Sequence, residues 1–189
     1  MAITRVKTSS VAQGPSTKKT LLGGNSVILP GSYDAIGTFT VGAGGQSTIS
    51  FTSIPSTYKH LQIRYFGFVA NDAFIRFNSD TGTNYSRHSL YGNGSSAAAY
   101  GAANETAIGF TYTASSTNPG VVVCDILDYA NTNKYKTVKV LNGDDQNGSG
   151  IIMLASGNWR NTSAITSITI FEDSGVFGQY SSFALYGIK

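Results

Sequence analysis

The chain has 189 residues and a formal net charge of +3. Only 12% of its residues are charged, about half the usual share, while 41% are hydrophobic. Gly, Ser, Thr and Asn supply 78 of the 189 positions, and there are 11 Tyr and 10 Phe against one Trp. This balance excludes a disordered chain, which needs low hydrophobicity with high charge. It also disfavours long helices, because Thr, Tyr and Phe fit strands better.

In chain order, residues 1–30 read as an N-terminal arm. Arg5, Lys7, Lys18 and Lys19 give it +4 with no acid, and Leu21-Leu22 and Val27-Ile28-Leu29 add two short apolar patches around Gly23-Gly24. Bases and acids nearly balance over the rest of the chain. The basic character therefore belongs to the arm, and the high pI is not the mark of a nucleic-acid binder.

From Tyr33 onward, alternating apolar residues and turn signals predict strands over 36–41, 48–51, 61–66, 73–77 and 85–91. Residues 92–103, rich in Gly, Ser and Ala, read as a loop. Further strands are expected at 106–113, 120–129, 135–141, 150–156, 164–171 and 180–188. About ten strands with turns every 8–15 residues, and no room for crossover helices, predict an antiparallel β-sandwich. The expected division is an arm, 1–30, and a β-sandwich domain, 31–189. No apolar run approaches the ~20 residues of a membrane span, and Met1–Lys7 lacks a signal-peptide apolar region. No membrane partner is expected, and synthesis is expected in a cytoplasm.

Candidate chemistry is sparse. His60 and His88 stand in no metal-binding or catalytic spacing and read as solvated strand residues. Cys124, in Val121-Val122-Val123-Cys124-Asp125-Ile126-Leu127, reads as a buried strand residue. Asn142–Gly148 has the oxygen-rich look of a cation loop but lacks the closing Glu, so a turn tip is expected. Asp125 and Asp128 should point apart on a strand. No catalytic residue, metal site or cofactor is expected. The tyrosines and Trp159 are of the kinds that stack on sugars, but they equally suit a two-sheet core, and the core reading is taken.

Several stretches resemble a β-rich domain of tailed-phage virion proteins, found in capsid decoration proteins and at the ends of tail fibres. They are Gly31–Ile36, Ser53–Ile63, Phe77–Asp80, Asn84–Ser86, Asp125–Thr137, Gly157–Trp159 and Gln179–Lys189. The resemblance implies a jelly-roll-like sandwich on the outer surface of a virion, assembled as a homotrimer, with no catalytic residues to carry over. Two roles follow. One is a decoration (cement) protein that binds the major capsid protein and locks neighbouring subunits. The other is a fibre tip that reads host surface glycans. A fibre tip is expected to follow a shaft, and only the segment 1–30 precedes the domain, which favours decoration. Arg5, Lys7, Lys18, Lys19, Leu21 and Leu22 are then the expected capsid-attachment residues.

Overall fold

The structure, a computed structural model, describes residues 17–22, 25–30, 32–112 and 115–189. Among them every named element is a β-strand. The first nine are β1 (Thr17–Leu22), β2 (Asn25–Pro30), β3 (Tyr33–Thr40), β4 (Thr48–Phe51), β5 (His60–Val69), β6 (Ala73–Phe77), β7 (Tyr85–Gly92), β8 (Ala97–Glu105) and β9 (Ile108–Thr111). The rest are β10 (Ser115–Leu127), β11 (Lys136–Asp145), β12 (Gly150–Trp159), β13 (Ile168–Glu172) and β14 (Ser182–Ile188).

Twelve of these strands form two antiparallel sheets. The wide sheet runs β3-β14-β5-β10-β11-β12-β7-β8, and the narrow one runs β4-β13-β6-β9. The inner faces share one core. Alternation places Leu61, Ile63 and Tyr65 of β5, Val122, Cys124 and Ile126 of β10, and Val138 and Val140 of β11 inward from the wide sheet. Ile49, Ile75, Phe77, Ile168 and Ile170 face them from the narrow sheet. A Cβ on Gly157 would collide with Ile108, so only glycine lets β9 lie this close to β12.

One aromatic corner closes the core. Phe77, Tyr85 and Trp159 are fully or almost fully buried, with Trp159 stacked on Tyr85 at 6.4 Å and 5.7 Å from Phe77. Their polar ends converge on the turn after β6. The Trp159 indole Nε1–H donates to Asp80 Oδ2 at 2.7 Å, and Tyr85 Oη donates to the Asp80 carbonyl at 3.1 Å. Asn84 Nδ2 and the Gly82 amide also donate to the Asp80 carboxylate. Burial works to raise the Asp80 pKa, but the bonds from Trp159, Asn84 and Gly82 outweigh it, and the pKa is lowered. Beside it, Asn78 adopts φ 51° and ties the chain to the segment before β13. Its Oδ1 accepts the Thr166 and Ser167 amides, and its Nδ2 donates to the Ala164 carbonyl. Lys136 is fully buried, with Nζ donating to the carbonyls of Asn131, Lys134 and Thr162 at 2.5, 3.0 and 3.1 Å.

Three expectations change. The two sheets hold twelve strands, not about ten. Residues 97–105, most of them expected as loop, form β8, paired to β7 from Tyr85↔Glu105 to Gly92↔Ala97. Ala and Gly are weak strand formers, and the pairing is carried by backbone bonds that composition does not reveal. Strand β10 starts earlier than expected because the register shift between Ser115 and Gly120 accommodates Pro119 within the strand. Of the expected arm, residues 1–16, 23 and 24 lie outside the described residues. Residues 17–22 and 25–30 form an antiparallel hairpin that joins neither larger sheet.

Asp80→Ala should lower stability, because it strands the Trp159 indole, the Asn84 side-chain amide and the Gly82 backbone amide. Loss of the single indole bond should cost about 1–3 kcal/mol, read as a shift in urea midpoint. The difference between wild type and Asp80→Ala should be full at pH 7. Because the folded pKa is depressed, that difference should be lost only as pH falls below the ordinary 3.8 and through the lowered value.

Candidate functional site

The residues singled out for chemistry are dispersed. His60 Nδ1 accepts the Asp128 amide at 2.9 Å and lies 3.5 Å from Asp128 Oδ1, so it fastens the turn after β10. The Lys134 ammonium bonds to the same carboxylate, and this bond is the main reason the Asp128 pKa is lowered. His88 is exposed on β7. Cys124 is fully buried, and burial pushes its thiol pKa far above the ordinary value. The turn tip expected over 142–148 is shorter than that. β11 continues to Asp145, Asn142 is buried with Nδ2 on the Thr111 hydroxyl, and the turn closes from Gln146 to Ser149. Among the described residues no three His, Cys, Asp or Glu side chains cluster as metal ligands, and no helix is long and apolar enough to cross a membrane.

Two other features stand out. The first is the outer face of the wide sheet. Its register aligns Phe66, Val121, Gly143 and Ile152 in one row, and Val123, Leu141, Leu154 and Leu90 in the next. Phe66, Leu90, Val121, Leu141, Ile152 and Leu154 are each 47% to 64% exposed. Six large side chains at half exposure fill the roughly 300–600 Å² that marks the largest apolar patch of a typical monomer. Two of the adjoining charges, Asp125 and Lys139, pair with each other, while Arg64 bonds to a neutral amide. Arg64 donates to Gln62, Gln62 to Asp125, and Lys139 lies 3.3 Å from Asp125.

The second feature is a cavity of about 330 Å³ at the seam between the sheets, where β7 and β8 continue past the narrow sheet. Asp72, Arg87, Ser89, Tyr91, Tyr100 and Tyr112 line it, with Ile151 and Met153. The Arg87 side chain is only 14% exposed. Its carbon Cζ lies 5.1 to 5.5 Å from the ring centres of Tyr100, Tyr112 and Phe74. Such contacts contribute about 0.5–2 kcal/mol each but leave N–H donors unfilled. Nε and Nη1 are buried with no hydrogen-bond partner, and Nη2 reaches Glu105 Oε2 only at 3.8 Å. The Glu105 carboxylate thus pairs the charge of Arg87 at long range, while two of the guanidinium nitrogens stay without hydrogen bonds. Burial raises the Asp72 pKa, with Arg87 opposing and Asp173 adding to the rise.

Of the expected attachment residues, Lys18, Lys19, Leu21 and Leu22 lie on β1, opposite Leu29, Ile28, Ser26 and Asn25, while Arg5 and Lys7 fall outside the described residues. Sequence reasoning missed the apolar face and Arg87. The face did leave a signal: Val121-Val122-Val123 and Ile151-Ile152-Met153-Leu154 are unbroken apolar runs, the pattern of strands covered on both sides. Arg87 left none, since one arginine on a strand reads as solvated until its neighbours are known. Comparison of the chain with family models, with curated proteins and with solved structures finds no match.

Glu172 is buried on β13. One oxygen accepts the Ala70 amide at 3.1 Å, the other has no partner, and burial raises its pKa. The folded protein therefore holds this proton more tightly than the unfolded chain, so its stability falls as pH rises from 4.5 through the raised value. Glu172→Gln should melt at a higher temperature than wild type at pH 7, and the gap should close as pH falls below 4.5.

Proposed function

We propose that the chain is a structural protein of a tailed-phage particle, a decoration or cement protein on the outer surface of the head. In this reading it is made in the host cytoplasm, assembles as a homotrimer, binds the major capsid protein and stabilises neighbouring capsid subunits. It carries no enzymatic activity. The observation that carries the reading is the apolar outer face of the wide sheet. Its strands read as covered on both sides, yet one side has no cover among the described residues.

A second copy of the chain is the occupant that suits this face. The Asp125 and Lys139 charges beside the patch pair with each other, which lowers the cost of burying this face where neighbouring copies meet around a three-fold axis. The repeated passage of the chain between sheets, from β3 to β4, β5, β6 and β7, supports a jelly-roll kinship. The attachment role of the N-terminal segment rests on its +4 charge, which suits an acidic shell, and on its apolar patches.

Antibody-gold labelling of intact particles that carry the chain should place it over the head. Label confined to the tail tip would favour the receptor-binding role instead. Deleting residues 1–20 should leave the two-sheet body folded, read by circular dichroism, while abolishing incorporation. Normal decoration by the shortened chain would exclude the segment as the attachment device. Particles without the protein should assemble but break at lower temperature.

A further inference from the structure

We propose that the open edge of β8 receives the β1–β2 hairpin of a neighbouring copy, so that each copy of the chain passes its hairpin to the next. This rests on the homotrimer reading and assigns the elements that fasten the copies at their rims.

β8 ends the wide sheet, and among the described residues no strand pairs with its outer side. The backbone donors and acceptors on that side are a template for another strand. Native edges are commonly guarded by shortness, by Lys or Pro, or by a bulge. The edge strands of the narrow sheet, β4 and β9, are only four residues each. β8 is nine residues long, holds no Lys, Arg or Pro, and is bulged only at its Glu105 end. Ala97, Ala99, Gly101 and Ala103 are exposed along it and are too small to screen the backbone.

The hairpin is the piece that fits. β1 and β2 pair only with each other, and a two-stranded hairpin is marginal in water without a further strand or a packed face. Each of its strands has six residues, which fit within the nine of β8. β1 is the strand to pair, because β2 ends at Pro30, which has no amide donor, and leads through Gly31 and Ser32 into β3. With Thr17 opposite Glu105, antiparallel pairing brings Lys18 and Lys19 to the acidic end of β8 and Leu22 to the level of Tyr100.

The chain's own β8 is out of reach. β3 and β8 are opposite edges of the wide sheet, separated by roughly 34 Å at about 4.8 Å per strand. β2 with Gly31 and Ser32 extends to at most about 28 Å. A neighbour's β8 is not. All pairings in the wide sheet are antiparallel, so its eight strands alternate and β3 runs opposite to β8. Where the apolar faces of three copies turn to an axis along the strands, the β3 edge of each meets the β8 edge of the next. Two inserted strands keep the alternation unbroken, and a head-to-tail contact of this kind closes into a ring.

The test is cross-linking in the full chain. Thr20→Cys is set in β1 and Ala103→Cys in β8, and the purified protein is treated with a short bismaleimide, whose reach covers a one-residue difference in register. Native Cys124 is fully buried, so wild type should give no product. The double variant should run on denaturing gels at two and three times the single-chain mass. Chains carrying one substitution each should give the two-chain product when co-expressed and none when expressed apart. A two-chain product from Ala103→Cys alone, the mark of two β8 edges meeting, would overturn the proposal. No product above the single-chain mass in a double variant that sediments as a trimer would overturn the hairpin assignment and leave the trimer standing. The same result in a chain that sediments as a single copy would overturn both.

Discussion

An eight-stranded sheet, roughly 38 Å wide at about 4.8 Å per strand, is packed against a sheet of half that width, and most features of the molecule follow from the mismatch. The narrow sheet covers the centre of the wide one, where Leu61, Ile63, Cys124 and Val140 are sealed. At the β7–β8 end the cover runs out. There the inner face carries Arg87, Ser89 and Tyr91 instead of aliphatic residues, and the guanidinium is enclosed by the ring of Phe74 from β6 together with those of Tyr100 and Tyr112. The cavity is the space that this partial cover leaves.

Narrow cover also makes the ends of the core dependent on polar anchors. Apolar burial, at about 25 cal/mol per Å², is non-directional and does not fix where a turn sits. Asp80, Asn78 and Lys136 do, each by tying its own turn to a segment distant in sequence. Asp80 joins the turn after β6 to Trp159 at the end of β12. Lys136 joins the turn after β10 to the segment before β13. Each of the three makes several hydrogen bonds, the condition under which polar groups specify a structure rather than weaken it.

Much of this was legible in the sequence. Alternation located β4 and β6 to the residue, and placed Cys124 in a core strand, because a half-buried strand writes its two faces into every second position. It failed where that rule fails. Most of β8 reads as a loop because its Ala and Gly carry no face, and its position is fixed by backbone pairing with β7. Lys136 carries no sequence signal of its burial, because its ammonium is held by three carbonyls that meet only in the folded chain. The apolar face was half legible: the runs at 121–123 and 151–154 announce two buried faces, but which side the narrow sheet covers depends on topology.

The central claim is that the outer face of the wide sheet is covered by another copy of the chain, and the oligomeric state tests it most directly. Sedimentation equilibrium of the full chain should give a mass that is a multiple of the single-chain mass, with three as the expected multiple. Leu154→Lys, which sets a charge at the centre of the exposed rows and touches nothing in the core, should return the chain to a single copy with an unchanged melting profile at low concentration. A wild-type chain that sediments as a single copy across all concentrations, or a Leu154→Lys chain that keeps the wild-type mass, would contradict the account.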